Sequence, residues 1–455
     1  MRDSNVTSKD RRRAGDSVEP TPYHPRTQRH RARGRGRLRL RDACAMAVGG
    51  MIGGGIFSVL GVTVAVAGHA AFGCFVLGGV IALLTAHAYA TLSLRAGRSG
   101  GPFVYLRAAG RPELGALTGW LLILGYVVAL AVYAFTFGHY AAHIIGASDV
   151  VARAASVGIM VVFLAVNVRG VGASALSEDA IVFVKLAVLC VIALVGIGHF
   201  SPQRLAPLAD RGVTGVVFGA ASIFVAYEGF ELLAYDYDDI AEPRRTLPRS
   251  LYLSVGIVIA VYLLVTLGSQ MLVGDALIVQ QKEVAFATVG QGAFGTAGRW
   301  FATLGALLAT CSAINATLFS TARQMRDIAV ENELPIRLER EVNGLPVGAL
   351  ATLTVLGSAF AMLPGILEVL AFGSATFLAV FALVNHLAAR GAQRLRDRVM
   401  GHVGAAACVG AEVALGIALF RQDRAALALV FGCLAALLTL RVLFVRARKK
   451  EQRRR

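Results

Sequence analysis

Between Val48 and Leu60 the chain reads Val-Gly-Gly-Met-Ile-Gly-Gly-Gly-Ile-Phe-Ser-Val-Leu, inside a long apolar run. Five glycines in seven residues do not hold a clean helix, because each interior Gly costs about 1 kcal/mol relative to Ala. In a bilayer the backbone groups loosened by such a break must find partners. Discontinuous transmembrane helices use them to hold an anion on bare N–H groups and a cation on bare carbonyls. Residues Gly49 to Ile56 therefore predict a binding site made of backbone. The other reading is a small-residue packing face, since Gly49 and Gly53 stand at G-x-x-x-G spacing.

The medium around this stretch follows from composition. The 455 residues are 56% hydrophobic and 16% charged, with a mean hydropathy of +0.64, which excludes an ordinary soluble domain. Apolar runs near 20 residues long fall at 44–66, 70–92, 115–145, 151–168, 179–199, 213–235, 250–273, 293–321, 346–364, 366–388, 402–420 and 424–445. They predict an all-α polytopic membrane protein with 12 transmembrane helices. The third and eighth runs are long enough to tilt.

A net charge of +17 invites a nucleic-acid reading, but its distribution argues against one. With both termini inside, the cytoplasmic tails and loops hold 36 of the 45 Lys and Arg residues, the external loops hold four, and Arg153, Lys185, Arg299, Arg424 and Arg441 fall within the runs, only Lys185 and Arg441 away from an external end. That asymmetry is the positive-inside pattern. Residues 1–42 carry thirteen basic residues and lack the layout of a signal peptide. They read as a disordered basic cytoplasmic tail suited to anionic lipid headgroups. The six cysteines lie in apolar runs without metal-site or disulfide spacing and read as packing residues. No metal-ligand cluster, nucleophile elbow or phosphate-binding loop is present in the sequence, so neither an enzyme nor a bound cofactor or metal is expected.

Charged groups inside the runs carry the rest of the functional signal. Lys185 interrupts Ile181-Val-Phe-Val-Lys-Leu-Ala-Val-Leu-Cys190, at a cost of about 2.5–3.5 kcal/mol near a helix centre. It either snorkels toward the end marked by Asp179 or faces a cavity as a functional lysine. Glu228 and Glu231 flank Gly229 in the sixth run, so this helix too looks breakable. Its two acids either face an aqueous cavity or a partner, or are buried without a role. Asp236, Asp238, Asp239 and Glu242 follow as solvated charges or as ion pairs closing an inner gate. Broken spans one and six would each open a five-span half. The halves start on opposite sides of the membrane, the arrangement of an inverted repeat with a midplane substrate site.

At this point the chain resembles the amino acid–polyamine–organocation transporter superfamily, and its bacterial and archaeal amino acid permeases in particular. The resemblance covers about Leu38 to Arg390. It rests on Gly50-Met-Ile-Gly-Gly-Gly-Ile-Phe57; on Phe224-Val-Ala-Tyr-Glu-Gly-Phe-Glu231 with Asp238-Asp239 and its tail to Pro248; on Asn315 to Arg323 running through Glu333-Leu-Pro335; and on Ser374 to Arg390. It implies a leucine-transporter-type fold of 5+5 inverted helices, with helices 1 and 6 broken, that works by alternating access.

Carried over residue by residue, the resemblance places a substrate carboxylate on the N–H groups of Gly53, Gly54 and Gly55, where a half-helix dipole favours an anion. It places the α-ammonium on carbonyls near Met51, Ile52, Val225, Ala226 and Glu228, with Tyr227 and Phe230 as neighbouring pocket or gate residues. Lys185 matches the lysine of proton-coupled permeases, with Thr310 and Ser312 as hydroxyl partners. Two positions depart from the common pattern. Gly54 stands where many members have Ser or Thr, and Glu228 where many have an apolar residue. A Glu228 side chain pointing into the pocket favours a cationic amino acid or polyamine, and one pointing away serves as a second proton carrier.

The expected function is secondary transport of amino acids across the plasma membrane, with proton symport. The alternatives are an amino acid or polyamine exchanger, and a membrane-embedded sensor or channel. Expected partners are the substrate, protons and the bilayer, and no nucleic acid. The expected organisation is a tail at 1–42, a ten-helix core at 43–390 with repeats at 43–200 and 211–390, peripheral helices 11 and 12 at 391–446, and a basic tail at 447–455. Both termini are expected in the cytoplasm.

Overall fold

The computed structural model describes residues 38–169, 175–208, 210–342, 344–363 and 365–452. Most of the expected basic tail, residues 1–37, and the last three residues lie outside this set. So does the side chain of Asp179, and with it the expected neighbour of Lys185.

The chain is an all-α, polytopic membrane protein. Its helices are α1 (Leu40–Met51), α2 (Gly55–Ala67), α3 (Ala71–Ala96), α4 (Gly101–Ala108), α5 (Pro112–Ile145), α6 (Asp149–Val168), α7 (Ala175–Gly198), α8 (Gly212–Ser222), α9 (Pro243–Val273), α10 (Asp275–Gln281), α11 (Ala285–Val330), α12 (Val347–Ala361), α13 (Ile366–Arg390), α14 (Leu395–Gln422) and α15 (Arg424–Gln452). Among the described residues nine helical segments are long and apolar enough to cross a membrane, and Gly212–Ser222 and Val347–Ala361 are shorter apolar helices. Two of the nine are composite. The segment Gly55–Ala96 turns at Gly68, whose φ is 58°, and Asp275–Val330 is kinked at Phe294 and Gly295.

Among the described residues each of the twelve apolar runs overlaps helix, the first and sixth only in pieces, and several ends move. The seventh run starts at Pro243 rather than 250, because Pro at the first helical position costs no hydrogen bond and presets φ. The eighth continues to Val330, where Thr321, Ala322, Gln324, Met325, Ile328 and Ala329 keep a buried face going past the purely apolar segment. Hydropathy sees apolar length and not such polar-flanked turns. The sixth run is not one helix: α8 ends at Ser222 and gives way to 3-10 turns at Phe224–Tyr227, Phe230–Ala234 and Tyr237–Asp239.

The bundle is built around α5. In its apolar window 83% of the residues are buried, against 11% for α15, which lies at the periphery. Small residues let the helices around α5 approach closely. Where α7 crosses α9, a Cβ on Gly196 would meet the carbonyl of Gly268, and one on Gly268 would meet Ala193. Gly198, two residues on, has open space around it. The two glycines give a test of this crossing. Gly196→Ala is expected to destabilise the detergent-purified protein by about 1–3 kcal/mol through overpacking. Gly198→Ala should leave thermal unfolding unchanged or slightly improved. Equal melting behaviour of the two variants would contradict the packing described.

Candidate functional site

The first break separates α1 from α2. Ile52 closes α1 with φ −88° and ψ 60°, its N–H still donating to Val48 O at 2.8 Å. Gly53 then passes without helical bonding to Gly54, whose carbonyl accepts the Ser58 N–H at 3.1 Å at the start of α2, which begins at Gly55. A helix leaves its first N–H groups without intrahelical acceptors, and among the described residues no acceptor takes those of Gly53, Gly54 or Gly55. All of Met51 to Phe57 are buried. The break thus presents bare donors in a dry place.

The second break lies between α8 and α9, and other helices satisfy it. Ser374 on α13 donates its hydroxyl to Ser222 O at 2.9 Å and accepts from the Val225 N–H at 3.0 Å. Glu231 reaches back so that Oε2 accepts from the Gly229 N–H at 2.9 Å, while Oε1 accepts from Tyr126 Oη at 3.3 Å. Gly229 has φ 125°, a conformation open to glycine and strained for other residues.

The two breaks cross backbone on backbone. A Cβ on Gly229 would lie 2.7 Å from Gly50 C and Met51 N. This contact carries Met51 O and Ala226 O to the same point, where the hydroxyl of Tyr262 on α9 stands 2.8 Å from each. Two of the carbonyls expected to hold an ammonium therefore do converge, and a tyrosine occupies their focus. One hydroxyl proton serves one carbonyl at a time. Of the other expected acceptors, Val225 O takes the Glu228 N–H at 3.1 Å.

On the α5 side, Tyr133 covers the first break. A Cβ on Gly53 would lie 3.1 Å from Tyr133 Cε1, and one on Gly54 would lie 3.2 Å from Tyr133 Cα and from Thr310 Cγ2. The Tyr133 hydroxyl donates to Glu228 Oε2 at 2.8 Å. Tyr227 turns the other way, donating to Phe75 O on α3 at 2.6 Å, and Phe230 packs between Tyr89 and Phe381. The Tyr227 ring still packs edge-on against Tyr262 at the crossing, with ring centroids 5.4 Å apart, although its hydroxyl bonds elsewhere.

Lys185 on α7 is fully buried, and its Nζ donates to Gly49 O at 2.7 Å. It is attached to the last turn of α1, just before the break. Thr310 spends its hydroxyl on Ala306 O and Leu307 O of its own helix, both at 2.9 Å, and Ser312 is half-buried.

Both ends of the site are closed. On one side Phe57 packs edge-on against Phe286 and Tyr140, with ring centroids 5.4 and 6.3 Å away, and Tyr140 Oη donates to Phe57 O at 3.1 Å. On the other, Arg323 pairs with Asp236 at 3.2 Å, Gln324 Nε2 donates to Tyr235 Oη at 2.9 Å, and the strand-like contact of Leu38 with Ile240 ties down the start of α1. Of the four acids expected near this end, Asp236 makes a cross-helix ion pair. Asp238 exchanges hydrogen bonds with the backbone and hydroxyl of Ser99, Asp239 is half-buried, and Glu242 is exposed, 3.9 Å from Arg245.

Tyr262 is a contact at the breaks that no motif contains, Ser374 opens the last of the matched stretches without a role assigned to it, and Tyr126 and Tyr133 lie on the third apolar run, where the sequence singles out no residue. The usable signal is a hydroxyl inside an apolar helix, which is costly in lipid unless it meets a backbone group, but Thr266 and Thr376 carry the same signal while bonding within their own helices.

A family model described as amino acid permease matches residues 38–446. The chain is 31% identical over 350 residues to an uncharacterized protein of Methanocaldococcus jannaschii, covering 75% of this chain and 80% of that one. It is 27% identical to the methylthioribose transporter of Bacillus subtilis, over 65% of this chain and 67% of the relative. It is 26% identical to the serine/threonine exchanger of the same organism, over 64% and 68%.

The Tyr262 bridge has a measurable consequence. Tyr262→Phe leaves two buried carbonyls without a donor, at about 1–3 kcal/mol. The variant is expected to unfold at lower temperature in detergent, followed by thiol-reactive dye or tryptophan fluorescence. An unchanged melting curve would mean that the hydroxyl does not hold the crossing.

Proposed function

We propose, on the premise that the chain belongs to the amino acid permease family, that it is a secondary transporter of amino acids working by alternating access, with proton symport through Lys185. In this reading the spans number twelve, with both termini on the cytoplasmic side of the plasma membrane. Residues 43–390 form a 5+5 inverted repeat of halves 43–200 and 211–390 opened by the two broken segments, α14 and α15 are peripheral, and residues 1–42 and 447–455 are basic tails. The substrate carboxylate rests on the N–H groups of Gly53, Gly54 and Gly55. Its α-ammonium takes the place of the Tyr262 hydroxyl between Met51 O and Ala226 O, with Ile52, Val225, Tyr227 and Glu228 around it. An ammonium brings three donors where the phenol brings one, so the exchange removes a shortage rather than creating one.

The observation that carries the reading is the hydrogen bond from Lys185 to Gly49 O at 2.7 Å, beside the crossing of the two breaks. A charged donor contributes more than a neutral one, by on the order of 1 kcal/mol. Losing the proton weakens the hold of α7 on α1 and shifts a two-state equilibrium by about fivefold. Substrate and proton then act on one element, α1, which is what coupling requires. Thr310 and Ser312 stand on α11 as possible partners when α1 moves.

A specific finding supports a second reading. One relative is named a serine/threonine exchanger, and an antiporter of amino acids or polyamines would use the same crossing without a proton gradient.

Proteoliposomes separate the two. Native protein should accumulate a radiolabelled amino acid when an inward proton gradient is imposed. Lys185→Ala should remain folded yet lose that accumulation. Gradient-driven uptake that survives in the variant would sink the coupling role. Counterflow indifferent to both the gradient and Lys185 would move the mechanism to exchange.

A further inference from the structure

Glu228 is a buried acid that the transport reading leaves half used. Its side chain is 2% exposed, Oε2 accepts from Tyr133, and Oε1 has no hydrogen-bond partner among the described residues. Glu231, three residues on, has a donor on each oxygen. An unmet buried acceptor costs about 1–3 kcal/mol, and more for a charged group, so Oε1 marks a position where a donor is missing.

Tyr133 fixes where that position lies. Its Cα and ring pack on Gly54 and Gly53, and its hydroxyl ends on Glu228. A Cβ on Gly54 would lie 2.9 Å from Tyr133 Cδ1 and 3.2 Å from its Cα, and one on Gly53 3.1 Å from Cε1 and 3.3 Å from Cζ, so the glycines run along the tyrosine toward the hydroxyl that carries the Glu228 carboxyl, and Gly54 and Glu228 stand at its two ends. The Tyr262 hydroxyl lies close by, since a Cβ on Gly55 would be 3.6 Å from it, and it divides a single proton between two carbonyls. The crossing thus holds one set of unused donors, at Gly53 to Gly55, and two sets of under-supplied acceptors, at Met51 with Ala226 and at Glu228.

We propose that the site takes an amino acid whose side chain ends in a cation, an ammonium or a guanidinium, and that Glu228 is the specificity-determining residue that pairs with it. The assignment rests on the transport reading above, which places the α-carboxylate on the glycines and the α-ammonium on the two carbonyls. Glu228 keeps Tyr133 on Oε2 and receives the cation on Oε1. A neutral side chain of the same length either leaves Oε1 bare, as norleucine does, or offers it an uncharged donor, as citrulline does, and in both cases the buried charge-assisted contact is lost.

The test is competition against radiolabelled uptake by the full-length protein in proteoliposomes, pairing arginine with citrulline and lysine with norleucine, with putrescine added. The native protein should prefer each cationic member by at least tenfold in half-inhibitory concentration. Glu228→Gln, which still accepts from Tyr133, should bring both ratios close to one. Equal inhibition by arginine and citrulline in the native protein would overturn the assignment while leaving amino acid transport intact. Ratios unchanged in Glu228→Gln would do the same, as would uptake of putrescine in place of amino acids. Absence of uptake for every amino acid would overturn the transport reading itself, and this assignment with it. Should the variant not fold, the native arginine and citrulline comparison decides alone.

Discussion

A carbonyl or N–H that leaves a helix inside an apolar medium has no water to turn to, and each such group must be met by a side chain from somewhere else. Two helices of this chain break at the same depth, and the rest of the bundle is arranged around answering them. Ser374 from α13, Tyr262 from α9, Lys185 from α7 and Tyr140 from α5 each bring one polar atom to the backbone of a broken segment. Because every donor comes from a different helix, satisfying the backbone also ties the helices to the breaks. A motion of α1 is therefore felt by α7 and α9 through single hydrogen bonds, each contributing about 1 kcal/mol net.

The same economy describes the ends of the site. The pair Arg323 to Asp236 joins a guanidinium 24% accessible to a buried carboxylate, 8% accessible, and the cost of desolvating the carboxylate offsets much of the Coulombic gain. Aromatic contacts such as Phe57 on Phe286 are of similar modest size. A closed state held by several weak contacts, none dominant, opens at small cost when a ligand or a proton favours the other state. A strong buried lock at either end would oppose the cycling that a transporter needs.

How much of this was legible depends on how each signal is written. Apolar length marks the helices, and Gly49 to Gly55 mark the first break, although a small-residue packing face writes the same pattern. The Glu-Gly-Phe-Glu segment at 228–231 marks the second by a different signal, two acids flanking a glycine inside an apolar run. Helix ends were less legible: α9 begins at Pro243 and α11 runs to Val330 on polar-flanked turns that hydropathy does not register. The hydroxyl donors were least legible. Tyr262 and Ser374 are each one of several hydroxyl residues in long helices, Thr266 and Thr376 being others that bond within their own helix, and only the packing of α9 and α13 against the breaks gives Tyr262 and Ser374 their role. Lys185 had two sequence readings, and its contact with Gly49 O follows from where α7 lies against α1 rather than from its distance to the helix end.

The two departures from the common family pattern, Gly54 and Glu228, are linked by Tyr133. A side chain at position 54 would meet Tyr133 at 2.9 Å and Thr310 at 3.2 Å, so the ring leaves no room for a hydroxyl there. The same ring delivers its own hydroxyl to Glu228. A polar group missing from the first break is in this sense replaced by one that arrives from α5, and the acid in the second break gives it an acceptor. Changing Gly54 to Ser without moving Tyr133 would crowd the cradle, and removing Glu228 alone would leave a buried phenol seeking an acceptor. The three residues are therefore constrained as a set, although they lie on three different segments of the chain.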